Sequence, residues 1–474
     1  MFDVVVIGAG VVGGLIFREL TKYDLSVCVV DKEVDCAMGA SGANSGIVHA
    51  GFDAKVGSKK AEYNVKGASM MQKVCRELSV EYKKNGAFVL GFSDEDKLTL
   101  EDLLNRGIQN GVEGLEILDR EKLLEYIPNV SKGATCALFA KTSAIVCPYS
   151  LAIASVGNGM DNGGEYLREF EVNSVSFEKG VHTIKAKDGR EVQALYVINV
   201  AGVYSDEIAR LFGDDSYSIR ARKGEYYLLD KSVAGITPYT IFTCPSEKGK
   251  GILVSPTADG NLILGPTAEF CEKSDTSTTH EGLASVSEKA REMIDGIDFS
   301  GTIASFSGLR AVSSKGDFSI ERSQKCEKLF NVCGIESPGL TSSPAIAEYV
   351  AKEVASDLGK VKKANFNPYR KPYSVKGMSI DERNELIKKN SSYGEIVCRC
   401  ETVTLGEIED AITRNPKAIT IDGVKHRVRA GMGRCQGGFC QGKILELLKK
   451  ELGVSEYEVR KKGGNSFILE RNDD

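Results

Sequence analysis

The chain has 474 residues, 42% of them hydrophobic, and a formal net charge of −5. That length implies two or three domains, and the hydrophobic fraction supports a large core rather than disorder. The acidic balance excludes a general nucleic-acid binder, and no apolar run approaches the roughly 20 residues that span a bilayer.

FDVVVIGAG (2–10) is a continuous apolar run ending in glycines, the pattern of a buried parallel strand. VVGGLIFRELTKY continues as a helix and SVCVVDKE as a second strand, which completes a βαβ unit. With a strand starting at Phe2, no leader segment is expected. Gly8, Gly10 and Gly13 spell G-x-G-x-x-G between strand and helix. Gly8 permits the tight turn, Gly10 lets the backbone approach a pyrophosphate, and Gly13 packs helix on strand. Asp31 closes the second strand, where a carboxylate accepts ribose hydroxyls and repels a 2′-phosphate. From about 86 to 149, short strands alternate with polar helices. EVNSVSFEKGVHTIKAKDGREVQALYVINVAG reads as a hairpin and a buried strand, and 219–270 carries the strand and turn signals of an antiparallel sheet. LFNVCGIESPGLTSSPAIAEYVAKEVASDL reads as strand, Gly-rich turn and long helix. FNPYRKPYSVKG has the composition of a linker.

Beyond the linker come Cys398 and Cys400, then, after 34 residues, Cys435 and Cys440 in GMGRCQGGFCQG. Thiolates are soft ligands that suit zinc or iron–sulfur clusters. C-x-C is short for structural zinc, whose paired ligands are separated by two or more residues, whereas four cysteines can ligate a [2Fe–2S] cluster. Gly431, Gly433, Gly437 and Gly438 free backbone amides to bond sulfur, and Lys425, Arg427, Arg429 and Arg434 stand ready to offset cluster charge. Zinc and four free thiols stay open as alternatives. The other nine cysteines of the thirteen, among them Cys28 and Cys333, lie in apolar segments and are expected as reduced thiols in a reducing cytosol.

GAGVVGG, GASGANSGIVHAG (39–51), VINVAGVYSDEIA, KGEYY (223–227), SGLRAVSS (307–314) and GIESPGLTSSPAIAEYVA (334–351) together resemble the glycine oxidase and D-amino acid oxidase superfamily of flavoproteins. The resemblance implies FAD, and no second G-x-G-x-x-G exists for a separate NAD domain. It implies that the first motif holds the pyrophosphate and that the second passes beside the flavin. The last motif would present Gly334, Gly339, Leu340 and Thr341 to the pyrimidine edge of the flavin. C-x-C…C-x₄-C followed by GKILELLKKELG is similar to the bacterioferritin-associated-ferredoxin type of [2Fe–2S] domain. The combination resembles the anaerobic, quinone-linked glycerol-3-phosphate dehydrogenases. NSGIVHAG, AIVCPY (144–149) and KGEYY also resemble L-2-hydroxyglutarate dehydrogenases.

The expected fold is α/β: a Rossmann-like FAD-binding domain with an inserted antiparallel-sheet substrate domain, plus a small C-terminal iron–sulfur domain. The FAD-dependent oxidoreductase domain is assigned to 1–365, with FAD-binding parts at about 1–85, 145–212 and 318–360 and substrate parts at about 86–144 and 213–317. Residues 366–392 form the linker and 393–460 the [2Fe–2S] domain. Of four histidines, His49 alone falls inside a flavin-contacting motif, as base or flavin-orienting group; Ser45 is a flavin or phosphate contact. Arg310 sits where the superfamily places its substrate-anion arginine. Lys223 and Tyr226 are read as lining the sheet over the flavin, with Tyr227 on the opposite face, and the basic run SEKGKG (246–251) as a solvated loop or phosphate contact.

The leading expectation is oxidation of sn-glycerol 3-phosphate to dihydroxyacetone phosphate. Electrons then pass through the cluster to an acceptor protein or a quinone-linked membrane subunit, from a cytoplasmic enzyme peripheral to the membrane through that partner. Oxidation of L-2-hydroxyglutarate or another 2-hydroxy acid, amino-acid or opine oxidation, and a non-enzymatic electron-transfer subunit are the alternatives.

Overall fold

The computed structural model describes residues 1–245 and 251–470. Strand Phe2–Ile7 lies between strands Val27–Val30 and Glu191–Asn199, parallel to both. Glu165–Leu167 extends this sheet on one side and Leu329–Cys333 on the other, also in parallel. The hairpin Val172–Glu178/Val181–Ala186 adds an antiparallel flank. Helices Val11–Leu20, Pro148–Asp161 and Gly339–Asp357 bury Leu15, Ile16, Leu151, Val156, Ile346 and Val350 against the sheet in one core. A parallel sheet needs this cover on its face, which explains the unbroken apolar run at 4–7.

A second, nine-stranded sheet draws its strands from 87–140 and 219–313. Its spine is the long antiparallel pair Ile219–Leu229 and Thr302–Ser313, in the register Arg222↔Arg310 and Tyr226↔Phe306. The sheet is not, as its turn signals led one to expect, antiparallel throughout. Thr240–Thr243 pairs in parallel with Ala87–Gly91, so the sheet is mixed. The two strands come from separated stretches of chain and meet without a hairpin between them, so nothing imposes antiparallel direction. A three-stranded sheet of Ile47–Val48, Ala144–Val146 and Tyr82–Lys83 ties the two larger sheets together.

Segment 366–392, read as linker, carries helix Ile380–Lys389, started by a capping box in which Ser379 and Glu382 bond each other's backbone. Helices Leu405–Thr413, Ile421–Val428 and Gln441–Leu452 follow, with a core of their own around Ile408, Val424, Ile444 and Leu448. None of the thirteen cysteines is paired in a disulfide. No helix of the described residues is long and apolar enough to cross a membrane. The run SEKGKG lies, but for Gly251, outside the described residues.

Candidate functional site

The Gly-rich turn is dictated by close packing. Gly8 has φ +117°, and a Cβ there would lie 2.6 Å from the Val200 carbonyl oxygen; a Cβ at Gly13 would collide with the Gly8 carbonyl. The N-cap residue of helix Val11–Leu20 makes no side-chain cap, so the Val12 and Gly13 amides of its first turn lack an intrahelical acceptor and form an anion cradle. Ser41 Oγ lies in the space beside Gly10 and accepts from the Val11 amide at 2.8 Å. This residue was not singled out from sequence, although it sits in the same GASGANSG motif as Ser45. Asp31 accepts from the Ala9 amide (2.6 Å) and the Glu33 amide (2.9 Å). Its carboxylate therefore braces the turn before it meets any ribose. Burial pushes its pKa up to about 6, against the opposing pull of those two amides.

GASGANSGIVHAG runs from the turn Ala40–Gly42 into strand Ile47–Val48. Asn44 fixes the loop, donating to the Ala40 (3.0 Å) and Ser41 (3.1 Å) carbonyls and accepting from the Gly46 amide (2.9 Å). Ser45 is half-buried in this loop. The His49 amide donates to Thr341 Oγ1 at 2.9 Å, and the His49 carbonyl accepts from Asn64 Nδ2 at 2.9 Å. Two motifs 292 residues apart are thus held together. The His49 imidazole stacks on Phe242 (5.9 Å, 28°) beside a small cavity of about 20 Å³. Gly334 has φ +66°, and helix Gly339–Asp357 begins without a side-chain cap. The Leu340 and Thr341 amides, in its first turn, have no intrahelical acceptor. Amides without intrahelical acceptors at two helix N-termini, one for the anionic middle of the cofactor and one for its hydrogen-bond-accepting ring, fit FAD.

The long strand pair sorts the substrate candidates by face. Tyr226 stacks on Phe306 (5.0 Å, 17°) and bonds Arg310, so Tyr226, Phe306, Gly308 and Arg310 share one face. A Cβ at Gly308 would collide with the Ala43 carbonyl, which places this face against the second motif. Arg310 is half-buried and makes no ion pair among the described residues. Its neighbour Arg222 is bound to Glu336 (3.0 Å). Lys223 lies on the other face, with Nζ 2.8 Å from Asp275, and so does not line this surface with Tyr226. The alternation of KGEYY carries that answer: 223, 225 and 227 share one parity and 226 the other.

In the C-terminal part the four cysteines fall into two pairs. Cys400 Sγ lies 3.5 Å from Cys435 Sγ, and Cys398 hydrogen-bonds Cys440. Two sulfurs on one tetrahedral metal, at about 2.3 Å each, sit about 3.8 Å apart, so each pair suits one metal. Among the described residues no three such groups converge on a single ion. This two-plus-two arrangement fits a two-iron cluster better than one zinc. Amides of Gly431 and Glu401 point at Cys398, and those of Gly437, Gly438 and Phe439 at Cys435. Cys398, given a bond by Cys440, is held down to about 6. Cys398 and Cys440 are buried while Cys400 is exposed, which sets one side of the pair of pairs at the surface.

The cations expected to offset cluster charge do something else. Arg427 is buried and grips Asp35 with two bonds (2.6 and 2.9 Å). Arg429 binds Asp259 (2.8 Å), Glu401 (2.8 Å) and the Tyr149 hydroxyl (3.2 Å), Arg434 binds Asp230 (3.1 Å), and Lys425 lies 3.9 Å from Asp422. Arg427, Arg429 and Arg434 dock the cysteine domain onto the rest. Tyr149 also lies 3.5 Å from Met432 Sδ, so the segment following strand Ala144–Val146 touches the cluster loop.

Residues 3–353 match the FAD dependent oxidoreductase (DAO) family, and residues 396–450 the BFD-like [2Fe-2S] binding domain. The chain is 47% identical over 476 residues to the glycerol 3-phosphate dehydrogenase of Caloramator mitchellensis, covering 99% of this chain and 98% of that protein. It is 30% identical over 318 residues to the mitochondrial L-2-hydroxyglutarate dehydrogenase of Homo sapiens, covering 64% and 67%. Among solved structures, the FAD-bound L-α-glycerophosphate oxidase of Mycoplasma pneumoniae superposes with a TM-score of 0.75 at 26% identity, over 78% of this chain and 98% of that one.

Proposed function

This chain belongs to the family of FAD-dependent oxidoreductases, and on that premise we propose that it is a dehydrogenase oxidising sn-glycerol 3-phosphate to dihydroxyacetone phosphate. The observation that carries the reading is the match to a glycerol 3-phosphate dehydrogenase along the whole chain, both domains included. Bound FAD supplies a hydride acceptor and the cluster a one-electron carrier. Gly8, Gly10, Gly13, Ser41 and Asp31 would hold the adenosine diphosphate end of FAD, and Gly334, Gly339, Leu340 and Thr341 the pyrimidine edge. Ser45 lies in the loop between them. Cys398, Cys400, Cys435 and Cys440 would hold the cluster.

Arg310, free of any carboxylate among the described residues, offers its guanidinium to the substrate phosphate, and Tyr226 orients it. His49 takes the proton from the C2 hydroxyl, its ring steadied by Phe242 and its backbone by Thr341 and Asn64. Burial of Tyr226 keeps its hydroxyl protonated as a donor. The exposed Cys400 would set the cluster's open side toward an acceptor protein or a quinone-linked membrane subunit, the enzyme being cytoplasmic and peripheral to the membrane through that partner.

A second reading, L-2-hydroxyglutarate oxidation, is favoured by the similarity to that enzyme and by a guanidinium that binds carboxylate as readily as phosphate. Anaerobic addition of each substrate to the FAD-loaded protein decides between them. Bleaching of the flavin band by glycerol 3-phosphate and not by L-2-hydroxyglutarate supports the first, and the reverse supports the second.

A further inference from the structure

Where helix Lys59–Leu78, helix Pro148–Asp161, segment 366–392 and helix Ile421–Val428 meet, the surface opens into a cleft of about 1030 Å³. Its floor is buried and largely apolar, made by Cys147, Ile153, Ala154 and Ala258. Its rim is basic. Arg76, Lys83, Lys371 and Lys376 come from three separate stretches of chain, all are exposed, and none forms an ion pair among the described residues. The carboxylates at the rim do not balance them. Asp259 is bound to Arg429 at 2.8 Å, Glu382 is committed to the cap of its own helix, and Glu81 is one exposed carboxylate against four cations. Unpaired cations facing one cleft from three segments raise its potential and draw in anions. Tyr82 and Tyr373 stand half-buried on its walls and can lie against a flat ring.

The size sets the class of ligand. Pockets for drug-sized ligands run from about 300 to 1,000 Å³, so a molecule as small as glycerol 3-phosphate would leave this one mostly empty. Its lining includes neither His49 nor any residue of the strand face that carries Arg310. We propose that this cleft is a second binding site, for a nucleoside diphosphate, with the phosphates on the basic rim and the base against the tyrosines and the apolar floor. The lining residues Cys147 and Ser150 flank Tyr149, which reaches the cluster loop. A ligand there would span the seam between the oxidoreductase and cluster domains and tighten it.

The test uses the full chain loaded with FAD and cluster, titrated by calorimetry with ADP, pyrophosphate and adenosine. Expected are saturable binding of one ADP per chain, weaker binding of pyrophosphate and none of adenosine. The double change Lys371→Glu with Lys376→Glu should weaken ADP by about tenfold or more while flavin bleaching by glycerol 3-phosphate is unchanged. Arg76→Gln with Lys83→Gln, on different segments, should weaken ADP in the same direction, which guards against a folding defect in either pair. Glycerol 3-phosphate should not displace ADP. No heat with ADP at millimolar concentration, indifference to both charge changes, or displacement by glycerol 3-phosphate would each overturn the proposal. The outcome is separate from the substrate assignment, because binding is read whichever alcohol the enzyme oxidises.

Discussion

Arg427→Met is expected to loosen the cluster domain from the rest of the chain. The guanidinium makes two bonds to Asp35 (2.6 and 2.9 Å) and two more to the carbonyls of Gly423 (2.8 Å) and Pro416 (2.9 Å), and both partners are buried. Removing it strands the Asp35 carboxylate in a dry contact, at a cost of about 3–5 kcal/mol. Replacing both partners with apolar groups, Asp35→Leu with Arg427→Met, should cost less than either single change, since no charge is then left unpaired. The pair also fixes a pH dependence. The guanidinium holds the Asp35 carboxyl below its ordinary value in spite of burial. Docking stability from this pair is therefore complete above the unfolded value of about 4 and is lost as pH falls through the lower folded value. The assay is urea denaturation followed at the cluster's visible band, with proteolysis of segment 366–392 as a second reading. Arg427→Met should lower the cluster midpoint and expose that segment. Single changes within about 0.5 kcal/mol of the parent, or strictly additive effects, would rule out a docking role for this pair.

Arg310→Ala should lower kcat/KM for glycerol 3-phosphate by on the order of 10²-fold, the worth of a charge-assisted bond, with FAD content unchanged in the visible spectrum. Cys400→Ser should abolish the cluster's absorption and its electron paramagnetic resonance signal while glycerol 3-phosphate still bleaches the flavin. FAD retention should fall as pH drops through about 6, because Asp31 loses its charge there and with it an acceptor for the ribose; flavin fluorescence released on acidification measures this, and Asp31→Asn should release FAD at neutral pH too.

What could be read from the sequence was what depends on neighbours along the chain. The G-x-G-x-x-G turn, the strand closing on Asp31, the long helix after GIESPGL and the cysteine set all have short-range signatures. The face assignment of Lys223 was equally available, because strand parity alone separates it from Tyr226. What could not be read were contacts made across the fold. Ser41 reaches the Val11 amide over 30 residues and Arg427 reaches Asp35 over 392, and nothing local to either residue announces its partner. The basic run before Cys435 reads as counter-charge for a cluster because Asp35, Asp259 and Asp230, which bind its arginines, lie far upstream. Helix Ile380–Lys389 hid in a stretch whose preceding Pro and aromatic content suggests a linker, although Ser379-x-x-Glu382 is a capping signal.

On the proposed function, one chain takes electrons from glycerol 3-phosphate and moves them to its own cluster. Anaerobic titration of the FAD- and cluster-loaded protein with sn-glycerol 3-phosphate, read together at the flavin band and by electron paramagnetic resonance, tests it directly. The expected result is loss of the flavin band together with the signal of a reduced [2Fe–2S] cluster. A flavin band that stays unbleached, or that bleaches while the cluster remains oxidised, would contradict it.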